Sequence, residues 1–216
     1  KKVPGFIGHT EFLESNFEGD SLMIMVSETM KIAFVTGHVP LSKVKEFITS
    51  KNIIIKAKKL NTSLIEDFGI RKPKIAILGL NPHAGENGLL GNEEAAEIIP
   101  AIEKLKKEKI MAFGPYPADS FFTVNNLKNF DGILCMYHDQ GLIPFKTYSF
   151  TDGVNFTAGL NIIRTSPVHG TAYEIAGQGI ANERSFREAV FMACNIAQKR
   201  SNFKHLTKNP LHFKGK

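Results

Sequence analysis

Apolar, β-rich runs alternate along this chain with segments of helical periodicity, and no other feature restricts its fold as much. A strand, a helix and a second strand make a βαβ unit, and repeated units build a mainly parallel sheet with helices on both faces. The expected fold is therefore α/β, a three-layer α/β/α arrangement around a largely parallel sheet. Lys31 to Thr36 reads as a strand that ends at Gly37-His38. Ser42 stands where a cap would, before Lys43-Val44-Lys45-Glu46, and a longer helical pattern runs on toward Asp67 with Gly69 as its stop. Lys74 to Leu80 is a second strand, leading into the turn-rich segment Asn81 to Gly91. Asn92 is placed to cap a helix over Glu93 to Glu108, acidic in its first turn and lysine-rich in its last, as the helix dipole favours. Gly132 to Met136 is a third strand and Val154 to Leu160 a fourth, and Ser185 opens a final helix through Lys199.

The strands share a second feature. His38, His83 and His138 each lie at or just after the C-terminal end of a predicted strand. In open α/β sheets ligands bind at that edge, because the loops there converge above the strand ends. Three neutral imidazoles with one coordination position open make a catalytic metal site. Three unrelated turn histidines would satisfy the same spacing, so spacing alone leaves both readings open.

The bulk properties bound the function classes. At 216 residues the chain fits one large domain or two small ones. Its net charge of +6 comes from the end: residues 199–216 hold six basic residues and no acid, and the rest carries 21 of each sign. A basic tail on a neutral body argues against a nucleic-acid partner. No apolar run reaches the roughly 18–20 residues needed to cross a bilayer, so no membrane role is expected. Lys1-Lys2 is followed by Pro4, Gly5 and His9 rather than an apolar signal segment. Cys135 and Cys194, both in apolar stretches, are expected to be buried free thiols of a cytoplasmic protein.

The loops around the histidines carry longer motifs. They are Gly8-His9-Thr10-Glu11-Phe12, Thr36-Gly37-His38-Val39-Pro40-Leu41 and Gly79-Leu80-Asn81-Pro82-His83-Ala84-Gly85-Glu86. Gly114-Pro115-Tyr116-Pro117-Ala118-Asp119, Met136-Tyr137-His138-Asp139-Gln140-Gly141 and the run from Ile163 to Thr171 follow in order. Together they resemble 4-hydroxythreonine-4-phosphate dehydrogenase, an enzyme family of pyridoxal phosphate (vitamin B6) synthesis, from about Pro4 to about Arg200. The resemblance implies an isocitrate/isopropylmalate dehydrogenase-like fold. It also implies that residues 1–216 are the C-terminal, metal- and substrate-binding portion of a two-domain dehydrogenase whose N-terminal part would precede Lys1. His38, His83 and His138 match the family's ligands to a divalent metal, zinc by preference for imidazoles, with magnesium, cobalt or manganese as alternatives. His9, Thr10, Lys146, Asn155 and Arg164 match its substrate contacts. The cofactor implied is NAD or NADP, and the assembly a homodimer with its active site at the interface.

The residue types suit that chemistry. A phosphomonoester carries close to two negative charges, which the forked donors of Arg164 and the point charge of Lys146 can hold, with neutral hydrogen bonds from Thr10 and Asn155. His9 is the candidate base, and Asp139 is placed to orient a metal-bound histidine or simply to cap its loop. No Gly-x-Gly-x-x-Gly follows a strand, so the dinucleotide residues are unknown, with glycine-bearing segments 153–159 and 170–179 as candidates. A related dehydrogenase of threonate or erythronate 4-phosphate, and a metal- and phosphate-binding role without catalysis, satisfy the same motifs.

Overall fold

The computed structural model describes residues 9–169 and 173–209, with the backbone alone for residues 9–11 and 14. Helix α1 (His9–Asn16) precedes a hairpin of β1 (Gly19–Val26) and β2 (Lys31–Phe34). The chain crosses through α2 (Val44–Phe47) and α3 (Ser50–Glu66) to β3 (Lys74–Leu78), and through α4 (Ile99–Lys107) to β4 (Met111–Tyr116). It returns through α5 (Ala118–Phe121) and α6 (Val124–Asn129) to β5 (Gly132–Cys135). Helix α7 (His138–Ser149), β6 (Val154–Leu160), β7 (Arg164–Pro167) and α8 (Arg184–Thr207) follow. The seven strands form one sheet in the order β4-β3-β5-β2-β1-β6-β7. Neighbours from β4 to β2 are parallel and those from β2 to β7 antiparallel, so five of the seven strands run in one direction.

Side chains of the central strands alternate between two apolar layers. Ile75, Ile77 and Leu134 face a core closed by α3, α4 and α8. Ala76, Leu78, Ile133 and Cys135 face a second core with Phe121, Leu127 and Phe145 of α5, α6 and α7. Burial on both faces is why these strands read as unbroken apolar runs. Helix α3 places Ile53, Ala57, Leu60 and Leu64 on one stripe against the sheet, all of them fully buried. Each of its large aliphatic side chains contributes about 1.5–3 kcal/mol. The three-layer α/β/α arrangement read from the sequence is the one observed.

Several local expectations need correction. Ser42 caps nothing; a short 3-10 turn and α2 end at Ile48, and Thr49 caps α3 instead, its hydroxyl accepting the Asn52 N–H at 3.2 Å. The expected helix over Glu93 to Glu108 opens with a π-helical turn, Glu94–Ile98, before Pro100, whose missing N–H interrupts the ordinary ladder. The segment after β5 is not a loop but the start of α7, which accommodates Pro144 in its interior. Strands β1, β4 and β7 were not expected. Cys135 is buried as anticipated, but Cys194 is exposed on α8. Among the described residues no helix is long and apolar enough to cross a membrane.

Candidate active site

Strands β3, β5 and β2 are adjacent and parallel, so their C-terminal ends lie side by side. His83 follows β3, His138 is the first residue of α7 after β5, and His38 follows β2. The His38 and His138 rings sit 5.3 Å apart at 45° to one another, and Phe34 stacks on His138 from the β2 side at 5.8 Å. Asp139 Oδ1 lies 2.6 Å from His138 Nδ1. Gly37, His38, Tyr137, His138 and Asp139 line an open cavity of about 460 Å³ at this edge.

His83 stands apart from that pair, on an exposed loop of unusual backbone. From His83 to Asn87 five consecutive residues have positive φ, between 42° and 81°. Left-handed conformation costs roughly 1–2 kcal/mol for each residue with a side chain, so the loop must be held from outside. Glu94, 4% exposed, does this. Its Oε1 accepts the N–H groups of Leu80 and Asn81, each at 2.8 Å, and its Oε2 accepts Asn81 Nδ2 at 2.9 Å. Gly85 packs against the same carboxylate, where a Cβ would stand 2.6 Å from Glu94 Oε2. Asn81 Nδ2 also donates to Glu93 Oε2 at 2.8 Å, and Glu93 pairs with Lys45 at 2.6 Å. These two bonds hold the Glu93 carboxyl at about 2, well below its ordinary 4.5. Among the described residues no three His, Cys, Asp or Glu side chains are gathered closely enough to hold a metal ion.

The residues matched to substrate lie elsewhere. Asn155 and Thr157 of β6 pair with Ser166 and Arg164 of β7, which puts all four on one face of the sheet. Arg164 Nη1 reaches Thr157 Oγ1 at 3.5 Å, and partial burial lowers the guanidinium's pKa. Asn155 Oδ1 is buried with no hydrogen-bond partner among the described residues. β7 is three strand spacings from β2, or about 14 Å of sheet. Lys146 is exposed on α7. His9 and Thr10 begin α1, and their side chains lie outside the described residues. Segment 153–159 is not a free loop, since most of it is β6, paired on both edges. Of segment 170–179, residues 170–172 lie outside the described residues.

Sequence reasoning passed over the residues that hold this edge together. Gln140 lies inside a quoted motif, yet no role followed from the motif. Glu94 read as a favourable first-turn acid, and only the folded loop shows its carboxylate turned back on Leu80 and Asn81. The paired spacing of Asn81 with Glu93 and Glu94 was the one available signal.

Residues 2–193 match the family model described as pyridoxal phosphate biosynthetic protein PdxA. The chain belongs to that family. It is 48% identical over 208 residues to the 4-hydroxythreonine-4-phosphate dehydrogenase of Bacteroides thetaiotaomicron, covering 95% of this chain and 57% of that protein. To the enzyme of the same name from Paracoccus denitrificans it is 45% identical over 202 residues, covering 91% and 62%. The crystal structure of 4-hydroxythreonine-4-phosphate dehydrogenase from Klebsiella pneumoniae superposes with a TM-score of 0.79 at 38% identity, covering 90% of this chain and 59% of that one. A terephthalate 1,2-cis-dihydrodiol dehydrogenase from Burkholderia xenovorans superposes at 0.70 with 25% identity, covering 87% and 60%. The chain thus spans between 57% and 62% of the length of these relatives.

Proposed function

We propose that this chain supplies the metal- and substrate-binding part of a 4-hydroxythreonine-4-phosphate dehydrogenase. The reaction is NAD- or NADP-dependent oxidation of the secondary alcohol of 4-phosphooxy-L-threonine to 2-amino-3-oxo-4-phosphooxybutanoate. That β-keto acid loses carbon dioxide to give 3-amino-2-oxopropyl phosphate. One observation carries the reading: His38, just after β2, and His138, at the start of α7 after β5, face each other 5.3 Å apart at the ends of adjacent parallel strands, in a chain of the pyridoxal phosphate biosynthetic protein PdxA family.

The donor set fits a divalent metal. Asp139 engages His138 Nδ1, which fixes the tautomer and leaves Nε2 as the ligating atom. His38 is the second ligand and His83 the third. A divalent ion there, zinc first and magnesium, cobalt or manganese as alternatives, supplies Lewis acidity toward the hydroxyl being oxidised. Arg164 and Lys146 hold the substrate's phosphate, Asn155 and Thr10 add hydrogen bonds, and His9 is the candidate base.

One chain gathers two of the three imidazoles and keeps Arg164 three strand spacings from β2. This separation supports a homodimer in which a second copy completes each site. Mixing His138→Ala with Arg164→Ala protein tests it. Hybrid dimers should regain part of the lost activity, and no recovery would place each site within a single chain. The reaction itself is tested with 4-phosphooxy-L-threonine, NAD or NADP and each metal, on protein that includes the family's N-terminal part. NADH formation with substrate loss is expected. Turnover of threonate or erythronate 4-phosphate alone would reassign the substrate, and turnover of none would remove the catalytic reading.

A further inference from the structure

Backbone pairing between the three histidine-bearing strands stops short of the histidines. The last pair between β3 and β5 is Ile77 with Leu134, and the last between β2 and β5 is Phe34 with Cys135. Past these points the backbone still ties β2 to β5, with the Val35 N–H donating to the Cys135 carbonyl at 2.8 Å and the Thr36 N–H to the Met136 carbonyl at 3.2 Å, and side chains add the remaining links. Thr36 Oγ1 donates to the Met136 carbonyl at 2.9 Å. The Met136 N–H donates to Gln140 Oε1 at 2.7 Å, and Gln140 Nε2 donates to the Gly79 carbonyl at 2.7 Å. A hydrogen-bonded line thus runs across all three strand ends, from the His38 loop through the start of α7 at His138 to the His83 loop.

We propose that Gln140 is a positioning residue, a side-chain rung that sets the spacing between the His83 loop and His138 at the start of α7, and so the affinity of the metal site. The inference rests on the metal reading above. Gln140 lies two residues past His138 in the first turn of α7 and is 9% exposed. Met136 N–H can only donate and the Gly79 carbonyl can only accept, so the amide's orientation is fixed by its partners. Only a planar group with one acceptor and one donor meets both. A carboxylate would keep the first bond and turn an oxygen toward the Gly79 carbonyl, and an apolar chain of equal length would keep the volume and lose both bonds. Gly141 lets the helix deliver this side chain: a Cβ there would stand 2.7 Å from Ile32 Cγ2 and 2.8 Å from Cys135 Sγ. Helix α7 therefore lies close enough on β2 and β5 for its first turn to reach across to β3.

The test is titration of the metal-free chain with zinc, and with cobalt for its visible spectrum, comparing wild type, Gln140→Met and Ser63→Ala. Ser63→Ala removes a buried hydrogen bond to Asp67 on α3, far from these loops, and serves as the control for a merely structural loss. Gln140→Met should bind either metal about 10- to 100-fold more weakly, the range typical for outer partners of metal ligands, with an altered cobalt spectrum. Ser63→Ala should bind as wild type does. Wild-type affinity and spectrum in Gln140→Met, or an equal loss in Ser63→Ala, would overturn the proposal. If Gln140→Met does not fold, Gln140→Glu, which loses only the donor, must show the same weakening. Hydrogen exchange at the Met136 amide tells the rung apart from the metal site. Faster exchange in the metal-free variant, in a protein whose wild type binds no metal, keeps the rung and removes the metal reading; unchanged exchange removes the rung itself.

Discussion

At the β4–β3–β5–β2 end of the sheet every neighbouring pair is parallel, and at the β1–β6–β7 end every pair is antiparallel. The two ends carry different chemistry for that reason. Parallel strands need crossovers, and the crossovers return each loop to the same edge. His38, His83 and His138 are therefore delivered to one rim by topology, before any side chain is chosen. Antiparallel strands send their loops to alternate edges and offer a face instead. On that face the alternation of β6 and β7 lines up Asn155, Thr157, Arg164 and Ser166. One end of the sheet makes a rim of histidines, and the other makes a polar platform.

The largest effect should come from breaking the tie between these ends. Arg200 of α8 bonds Asp67 at 2.6 Å, at the end of α3, and also donates to the carbonyls of Leu160, the last residue of β6, and Ile162 just beyond it. The Asp67 side chain is 4% exposed and its other oxygen accepts the Ser63 hydroxyl. Removing the guanidinium leaves a buried charge without its counter-ion, a change that typically costs about 3–5 kcal/mol. Arg200→Ala should lose that much stability in urea unfolding. A loss below about 1 kcal/mol would mean that this ion pair adds little to the β1–β2 strand pairing and the apolar packing that already join the two ends.

The unequal legibility of the two ends has a physical cause. Strands β2, β3 and β5 were readable because burial on both faces makes their sequences continuously apolar. Strand β7, Arg164–Pro167, is half-buried throughout and carries no apolar pattern, so only its partner reveals it. Pro115 broke the run that becomes β4, and Gly141 with Pro144 disguised α7 as a loop. The placement of the histidines was legible because each follows a strand that the apolar pattern marks. Gln140 and Glu94 were not, because their work depends on which carbonyls and N–H groups the fold brings within reach.

A smaller effect tests whether platform and rim act separately. A charge-assisted contact to a phosphate contributes about 1.5–3 kcal/mol, so Arg164→Ala should weaken use of the phosphorylated substrate by roughly ten- to a hundredfold. Its metal affinity should not change, and a dephosphorylated analogue should suffer far less. Arg164→Lys should recover part of the loss, since an ammonium keeps the charge without the fork. Weakened metal binding in Arg164→Ala would show that the platform also shapes the rim.

The smallest effect concerns the rim alone. Hydrogen bonds from Lys45 and Asn81 hold the Glu93 carboxyl at about 2 against an ordinary 4.5. A carboxyl depressed in the folded state contributes stability that is fully present above its unfolded pKa and is lost as pH falls through the folded one. Wild type should therefore lose stability between about pH 4.5 and about pH 2 more steeply than Glu93→Gln, and the variant should be the less stable of the two above that window. The two partners can be told apart with salt. The Lys45 side chain is 77% exposed, and at 1 M salt the screening length shrinks to about 3 Å, so its share should fade. The share from Asn81 is a short hydrogen bond in a half-buried setting and should persist. If the whole difference between wild type and Glu93→Gln disappears in salt, Glu93 is only a surface partner of Lys45, and the His83 loop rests on Glu94 alone.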